Sequence, residues 1–165
     1  MDKPTVYRTF VHPHLEYAAS AWIPHQVSHF SALGSVQRWF TRQVPGIGKL
    51  PFEKREKVCG LDSIAARTRR GITIETFKMS RGLSSSSKDI LTHPTHEHST
   101  RGRNAGNFSH IKPKKDVRKY SFRAVAPLLW DSVGYEARDA ETVNGYKNAY
   151  DRQFGSAVLH RNKLF

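Results

Sequence analysis

The chain is expected to be mainly α: a helical, bundle-like domain with a basic loop or short β-hairpin and a C-terminal helical pair. Two observations predict this. Apolar residues recur every three or four positions in several windows, which is the spacing of one helix face. Those windows also start and stop where helices do, with Ser28, Pro51 and Ser63 at their beginnings and Pro45-Gly46 and Gly60 at their ends.

The first window, residues 7–25 (YRTFVHPHLEYAASAWIPH), organises the rest. It is too apolar for a loop and too interrupted by proline for one straight helix. A short helix through Phe10, a bend at Pro13 and a second helical stretch to Trp22, closed by Pro24, is expected. Leu15, Ala18 and Trp22 would share a buried face, and the core would gather around Phe10, Leu15, Tyr17 and Trp22.

Residues 28–44 come next, capped by Ser28, with Phe30, Leu33, Val36, Phe40 and Val44 as the apolar stripe. Gly34 should weaken this helix by up to about 1 kcal/mol. Residues 51–58 predict a short helix, broken by Gly60-Leu61, and Ser63 caps another over residues 64–81. On that helix Ile64, Thr68, Ile72 and Met79 share one side and Arg67, Arg70, Lys78 and Arg81 another, with Ile74 and Phe77 straying onto the basic side.

Residues 83–99, with four consecutive serines and the run HPTHEHS, predict a flexible linker between a helical region (1–82) and a basic C-terminal region (100–165). Arg101, Arg103, Lys112, Lys114, Lys115, Arg118, Lys119 and Arg123 crowd the stretch that follows, against only Asp116. Residues 107–111 and 117–122 are candidates for two paired short strands. A helix over residues 121–132, with Phe122, Val125, Leu128 or Leu129 and Trp130 inward, precedes a last one over residues 142–154, with Val143, Tyr146, Ala149 or Tyr150, and Phe154 inward.

At 165 residues the chain can bury a sizeable core. With 27 Lys+Arg against 14 Asp+Glu it carries a formal charge of +13, an excess that favours a polyanionic partner. No apolar run is long enough to span a bilayer, and the opening MDKPTVYRTF has no apolar signal core, so an intracellular, nuclear or cytoplasmic, location is expected rather than secretion. The single cysteine, Cys59, excludes an internal disulfide and a multi-thiolate zinc site.

Several of these blocks resemble one family. Tyr7, Thr9, Phe10, Val11, Pro13, Leu15, Glu16, Tyr17, Ala18, Trp22 and Pro24 fit a Y-x-T-F-V-x-P-x-L-E-Y-A-x-x-x-W-x-P pattern. Val36, Gln37, Arg38, Thr41, Arg42, Pro45 and Gly46 fit V-Q-R-x-x-T-R-x-x-P-G. A third pattern, Y-E-x-R-x-x-x-L-G-L-x-S-L-x-x-R-R-x-R-G, survives in Phe52, Glu53, Arg55, Gly60, Leu61, Ser63, Arg67, Arg69, Arg70 and Gly71, with Ile64 replacing the leucine and Thr68 interrupting the paired arginines. Together they resemble the region after the polymerase palm in reverse transcriptases of non-LTR (LINE-type, jockey-like) retrotransposons. Trp130, Asn144 and Lys147 continue the likeness, while Asp131, Val133 and Gly134 depart from it. The resemblance implies a thumb-like, C-terminal part of such a polyprotein, whose parent activity is RNA-directed DNA polymerisation, with the catalytic part absent.

Template-directed synthesis needs two cations about 3.5–4 Å apart held by carboxylates. The chain has no adjacent acidic pair; Glu16, Asp62, Asp116 and Asp131 each stand alone. His12-Pro13-His14 and His93, His96 and His98 lack the partners of a metal site, and Cys59 suits a small buried hydrophobe better than a nucleophile. The expectation is a nucleic-acid-binding fragment with no catalysis, metal or cofactor, holding RNA or DNA by its phosphates through Arg67, Arg70, Lys78, Arg81, Arg101, Arg103, Lys112, Lys114, Lys115, Arg118, Lys119 and Arg123. Phe108, Tyr120 and Phe122 are candidates for base stacking. The run 112–115 also resembles a nuclear-import signal. Two alternatives stay open: an assembly module docking through Trp22, Trp39 and Trp130 onto a missing polymerase core, and a truncated relic without selected function.

Overall fold

The computed structural model describes residues 3–17, 27–84, 90–92 and 108–155. They are mainly helical and contain no strand. The elements are α1 (Lys3–Val6), a π-helical turn (Tyr7–Val11), α2 (His12–Glu16), α3 (Val27–Arg42), α4 (Phe52–Cys59), α5 (Ile64–Ser80), α6 (Asp116–Lys119), α7 (Phe122–Asp131), α8 (Tyr135–Arg138) and α9 (Val143–Phe154). The chain divides into two compact units, one within Met1–Thr68 and one within Arg69–Ala157, so the division falls inside α5. Most of the expected linker lies outside the described residues, as do Ala18, Trp22 and Pro24.

In the first unit helical structure is unbroken across Pro13. Helical backbone runs from Lys3 to Glu16, and the π-turn lets the His12 amide donate to the Tyr7 carbonyl, five residues back. Pro13 has no amide of its own to satisfy and sits in the first turn of α2, where that deficit costs least. The wider turn also changes which side chains face inward. Tyr7 and His12 are buried and Val11 and Leu15 half-buried, whereas Phe10 and Tyr17, expected in the core, are 61% and 80% exposed. Tyr7 packs on Phe40 at 4.6 Å between ring centroids, beside Cys59 and Leu61.

A polar network runs through this core. The Tyr7 hydroxyl donates to Gln37 Oε1 (3.2 Å), and Gln37 Nε2 donates to Glu56 Oε1 (2.8 Å) and to the Asp62 carbonyl (3.0 Å). One α3 side chain thereby ties together the π-turn, α4 and the loop ahead of α5. Gln37 and Thr41 of α3 are buried, flanked by the half-buried Phe30, Leu33, Phe40 and Val44 of the predicted stripe, while Val36, expected with them, is exposed. Gly60 ends α4 in the left-handed region (φ 60°), and the Leu61 amide closes the motif on the Glu56 carbonyl. Ser63 caps α5 as expected, accepting from the Ala66 amide at 3.2 Å.

In the second unit the core is a run of aromatic contacts. Phe77 stacks on Tyr146 (4.6 Å), Tyr146 lies 6.1 Å from Trp130, and Trp130 lies 5.9 Å from Phe108. Phe77 is therefore core, although its helical position had placed it on the basic side. On α7, Val125, Leu129 and Trp130 are buried and Leu128 is exposed, and on α9 Tyr146, Ala149 and Tyr150 are buried. The proposed hairpin does not form. Residues 108–113 have no regular structure, the Ser109 amide donates to the Thr92 carbonyl, and the Lys115 carbonyl accepts from the Arg118 and Lys119 amides, closing the α6 turn where the second strand was expected.

Burial pushes the Glu56 carboxyl up to about 7, and Glu53 and Asp62 add to the rise while the Gln37 amide opposes it. The folded protein keeps this proton to about pH 7, whereas an unfolded chain releases it near pH 4.5. Stability from this group is therefore full below about pH 4.5 and lost as pH rises to about 7, on the order of 3 kcal/mol in total. Glu56→Gln keeps the acceptor and removes the titration, so the difference in unfolding free energy between the two proteins should grow in the variant's favour from pH 5 to pH 8. A constant difference across denaturant melts would contradict this. Gly34 lies within α3 with open space where a Cβ would stand, so Gly34→Ala should raise stability by about 0.5–1 kcal/mol in the same melts.

Candidate nucleic-acid interface

The cations expected to touch phosphate fall into two populations. Those on α5 have partners within the protein. Arg67 forms a bidentate pair with Glu16, in which Nη2 lies 2.7 Å from Oε2. Arg70 forks onto Asp151 with both bonds at 2.7 Å. Lys78 lies 3.4 Å from Glu75, whose other oxygen accepts from the Ser84 hydroxyl. Arg81 donates to the Arg138 carbonyl at 3.2 Å and lies over the Phe77 ring. Sequence spacing groups these basic residues on one side of α5, but the buried Phe77 shares that side and all four have structural partners.

The second population is Lys112, Lys114, Lys115, Arg118, Lys119 and Arg123. All are exposed, and none makes an ion pair or donates a side-chain hydrogen bond among the described residues. Lys119 rests over the Tyr120 ring at 5.2 Å, which leaves its ammonium in solvent. The α6 turn sets Lys115, Arg118 and Lys119 at i, i+3 and i+4, the spacing of one helix face. Ser121 begins α7, whose first turn contains no acidic residue, so the amino end of that helix adds its partial positive charge to Arg123. Cations grouped in this way suit phosphate contact, which carries no sequence information. Arg101 and Arg103 lie outside the described residues.

Of the stacking candidates, Phe108 is buried against Trp130 and unavailable to a base, while Tyr120 and Phe122 are half-buried. Trp130 is likewise core, which removes it from the docking reading; Trp39 is exposed. Among the described residues no group of three His, Cys, Asp or Glu side chains is placed to hold a metal ion. His12 is buried, with its Nε2 3.8 Å from Glu16, and His14 is exposed. Burial pushes the His12 imidazole below its ordinary value, and the Arg67 guanidinium lowers it further against the pull of Glu16. Burial raises the Cys59 thiol, as suits a packing residue. No described helix is long and apolar enough to cross a membrane.

The partners of Arg67 and Arg70 were not visible in the sequence, because Glu16 and Asp151 lie far away along the chain. Lys78 with Glu75, three apart on one helix, is the pair a local pattern could have found. Comparison with family models, with curated proteins and with solved structures gives no match.

Because Arg70 serves Asp151, removing it should affect folding rather than binding. A double-mutant cycle of Arg70→Gln and Asp151→Asn should give a coupling of about 0.5–1 kcal/mol, modest because both side chains are partly exposed. The affinity of Arg70→Gln for a generic RNA should stay within about twofold of the parent protein. A large affinity loss with unchanged stability would reverse the assignment.

Proposed function

We propose that this chain is a nucleic-acid-binding module without catalysis, corresponding to the post-palm region of a non-LTR retrotransposon reverse transcriptase. It holds RNA or DNA through the phosphate backbone with little sequence preference. The observation that carries this reading is the run of exposed cations in residues 112–123 with no ion pair among the described residues, in a chain of formal charge +13. Cations left in solvent release counterions when they meet a polyanion, whereas cations already paired gain less.

The family reading is supported by where its motif residues sit. Glu16 of the first block pairs with Arg67 of the third. Tyr7 of the first donates to Gln37 of the second, and Arg55 of the third donates to the Arg38 carbonyl of the second at 3.1 Å. The separated motif blocks thus meet, in two of these three contacts through motif side chains on both sides, as parts of one ancestral unit would. The docking alternative has lost Trp130 to the core and retains Trp39.

Salt titration of binding to a generic RNA duplex tests the reading. Six phosphate contacts predict an affinity loss of roughly a thousandfold between 50 and 200 mM salt. Changing Lys114, Lys115 and Lys119 together to Gln should cut the slope of log affinity against log salt by about half. A flat titration, or a slope unaltered by the triple change, would refute it.

A further inference from the structure

α3 carries a feature that the phosphate reading leaves unused. Trp39 is 64% exposed and has neither a ring contact nor a hydrogen bond among the described residues. On a helical projection it lies nearly opposite the buried Gln37 and Thr41, at the centre of the solvent face. Helical side chains lean towards the amino end, so the indole rests over the preceding turn, where Ala32, Ser35 and Val36 are too small to cover it. Arg42, three residues on and on the same side of the helix, is exposed and makes no ion pair among the described residues. Arg38 is exposed on the other flank, lying 4.9 Å from the Phe52 ring centre. The whole of α3 contains no Asp or Glu.

We infer that this face is a single-strand contact, on which one unpaired base stacks on the Trp39 indole while Arg42 takes an adjoining phosphate. The charge balance favours this occupant. Two arginines and no carboxylate flank an isolated ring on a chain of +13, so a polyanion is drawn in and a second copy of the chain is repelled. An indole face accepts any base, and cations beside it follow the backbone. The inference rests on the nucleic-acid reading above but adds a base-dependent contact that phosphate binding alone does not require.

The test uses the full chain with Trp39→Ala and Trp39→Phe, and two probes: a single-stranded oligonucleotide and an abasic sugar–phosphate strand of equal length. Trp39→Ala should weaken oligonucleotide binding by roughly five- to a hundredfold at fixed salt. It should leave the salt slope and the abasic affinity unchanged, with Trp39→Phe intermediate. Because Trp39 is exposed, melting temperatures should match the parent's. An unchanged oligonucleotide affinity, or an equal loss on the abasic strand, overturns the stacking contact while leaving phosphate binding intact. Absence of salt-dependent binding to either probe overturns the phosphate reading instead. Loss of a concentration-dependent oligomer in Trp39→Ala, with nucleic-acid affinity unaltered, assigns the face to a second copy and overturns the inference.

Discussion

A shortage of carboxylates shapes this protein. With 27 Lys+Arg and only 14 Asp+Glu, almost half of the cations are left without an acidic partner of their own, and several turn instead to backbone carbonyls. Arg8 donates to the Cys59 and Gly60 carbonyls at the carboxyl end of α4. Lys3 reaches the Gln43 carbonyl just beyond α3 (2.7 Å), Arg81 the Arg138 carbonyl at the end of α8, and Arg138 the Val133 carbonyl after α7 (2.8 Å). Most of these oxygens lie at or just past the negative end of a helix, where a cationic donor satisfies an orphan acceptor and meets a favourable dipole.

Two of the carboxylates hold segments distant in sequence. Glu16 clamps Arg67 within the first unit, and Asp151 clamps Arg70 within the second. Glu56 is the exception, a buried acid that faces the Gln37 amide rather than a cation and keeps its proton to about pH 7. Each of these arrangements positions helices. What is left over, the exposed basic run before and into α7, has no structural duty among the described residues, and a binding role there would cost the fold nothing.

Helix existence was legible in the sequence because caps and spacing are local. Ser63, Gly60 and Thr142 act where their residue types predict, Thr142 accepting from the Gly145 amide at 3.0 Å. Which side of a helix faces inward was less legible. The π-turn adds one residue to a turn, so a projection with a fixed angle loses register there, and His12 is buried while Phe10 is exposed. On α3 the polar Gln37 and Thr41 are buried because a hydrogen-bond network satisfies them, and no apolar count finds that. The hairpin was suggested by β-branched and aromatic residues whose real use is packing, Phe108 against Trp130. At the interface, charge alone marked the cations, but the separation of paired from exposed ones needed contacts made across some fifty to eighty residues.

The most direct measurement follows the cationic side chains themselves by nuclear magnetic resonance while a short RNA is added. The account predicts that the Nζ and Nε signals of Lys112, Lys114, Lys115, Arg118, Lys119 and Arg123 shift together, while those of Arg8, Arg67, Arg70 and Arg81 stay in place. Shifts confined to those four partnered arginines, or spread evenly over both sets, would contradict it.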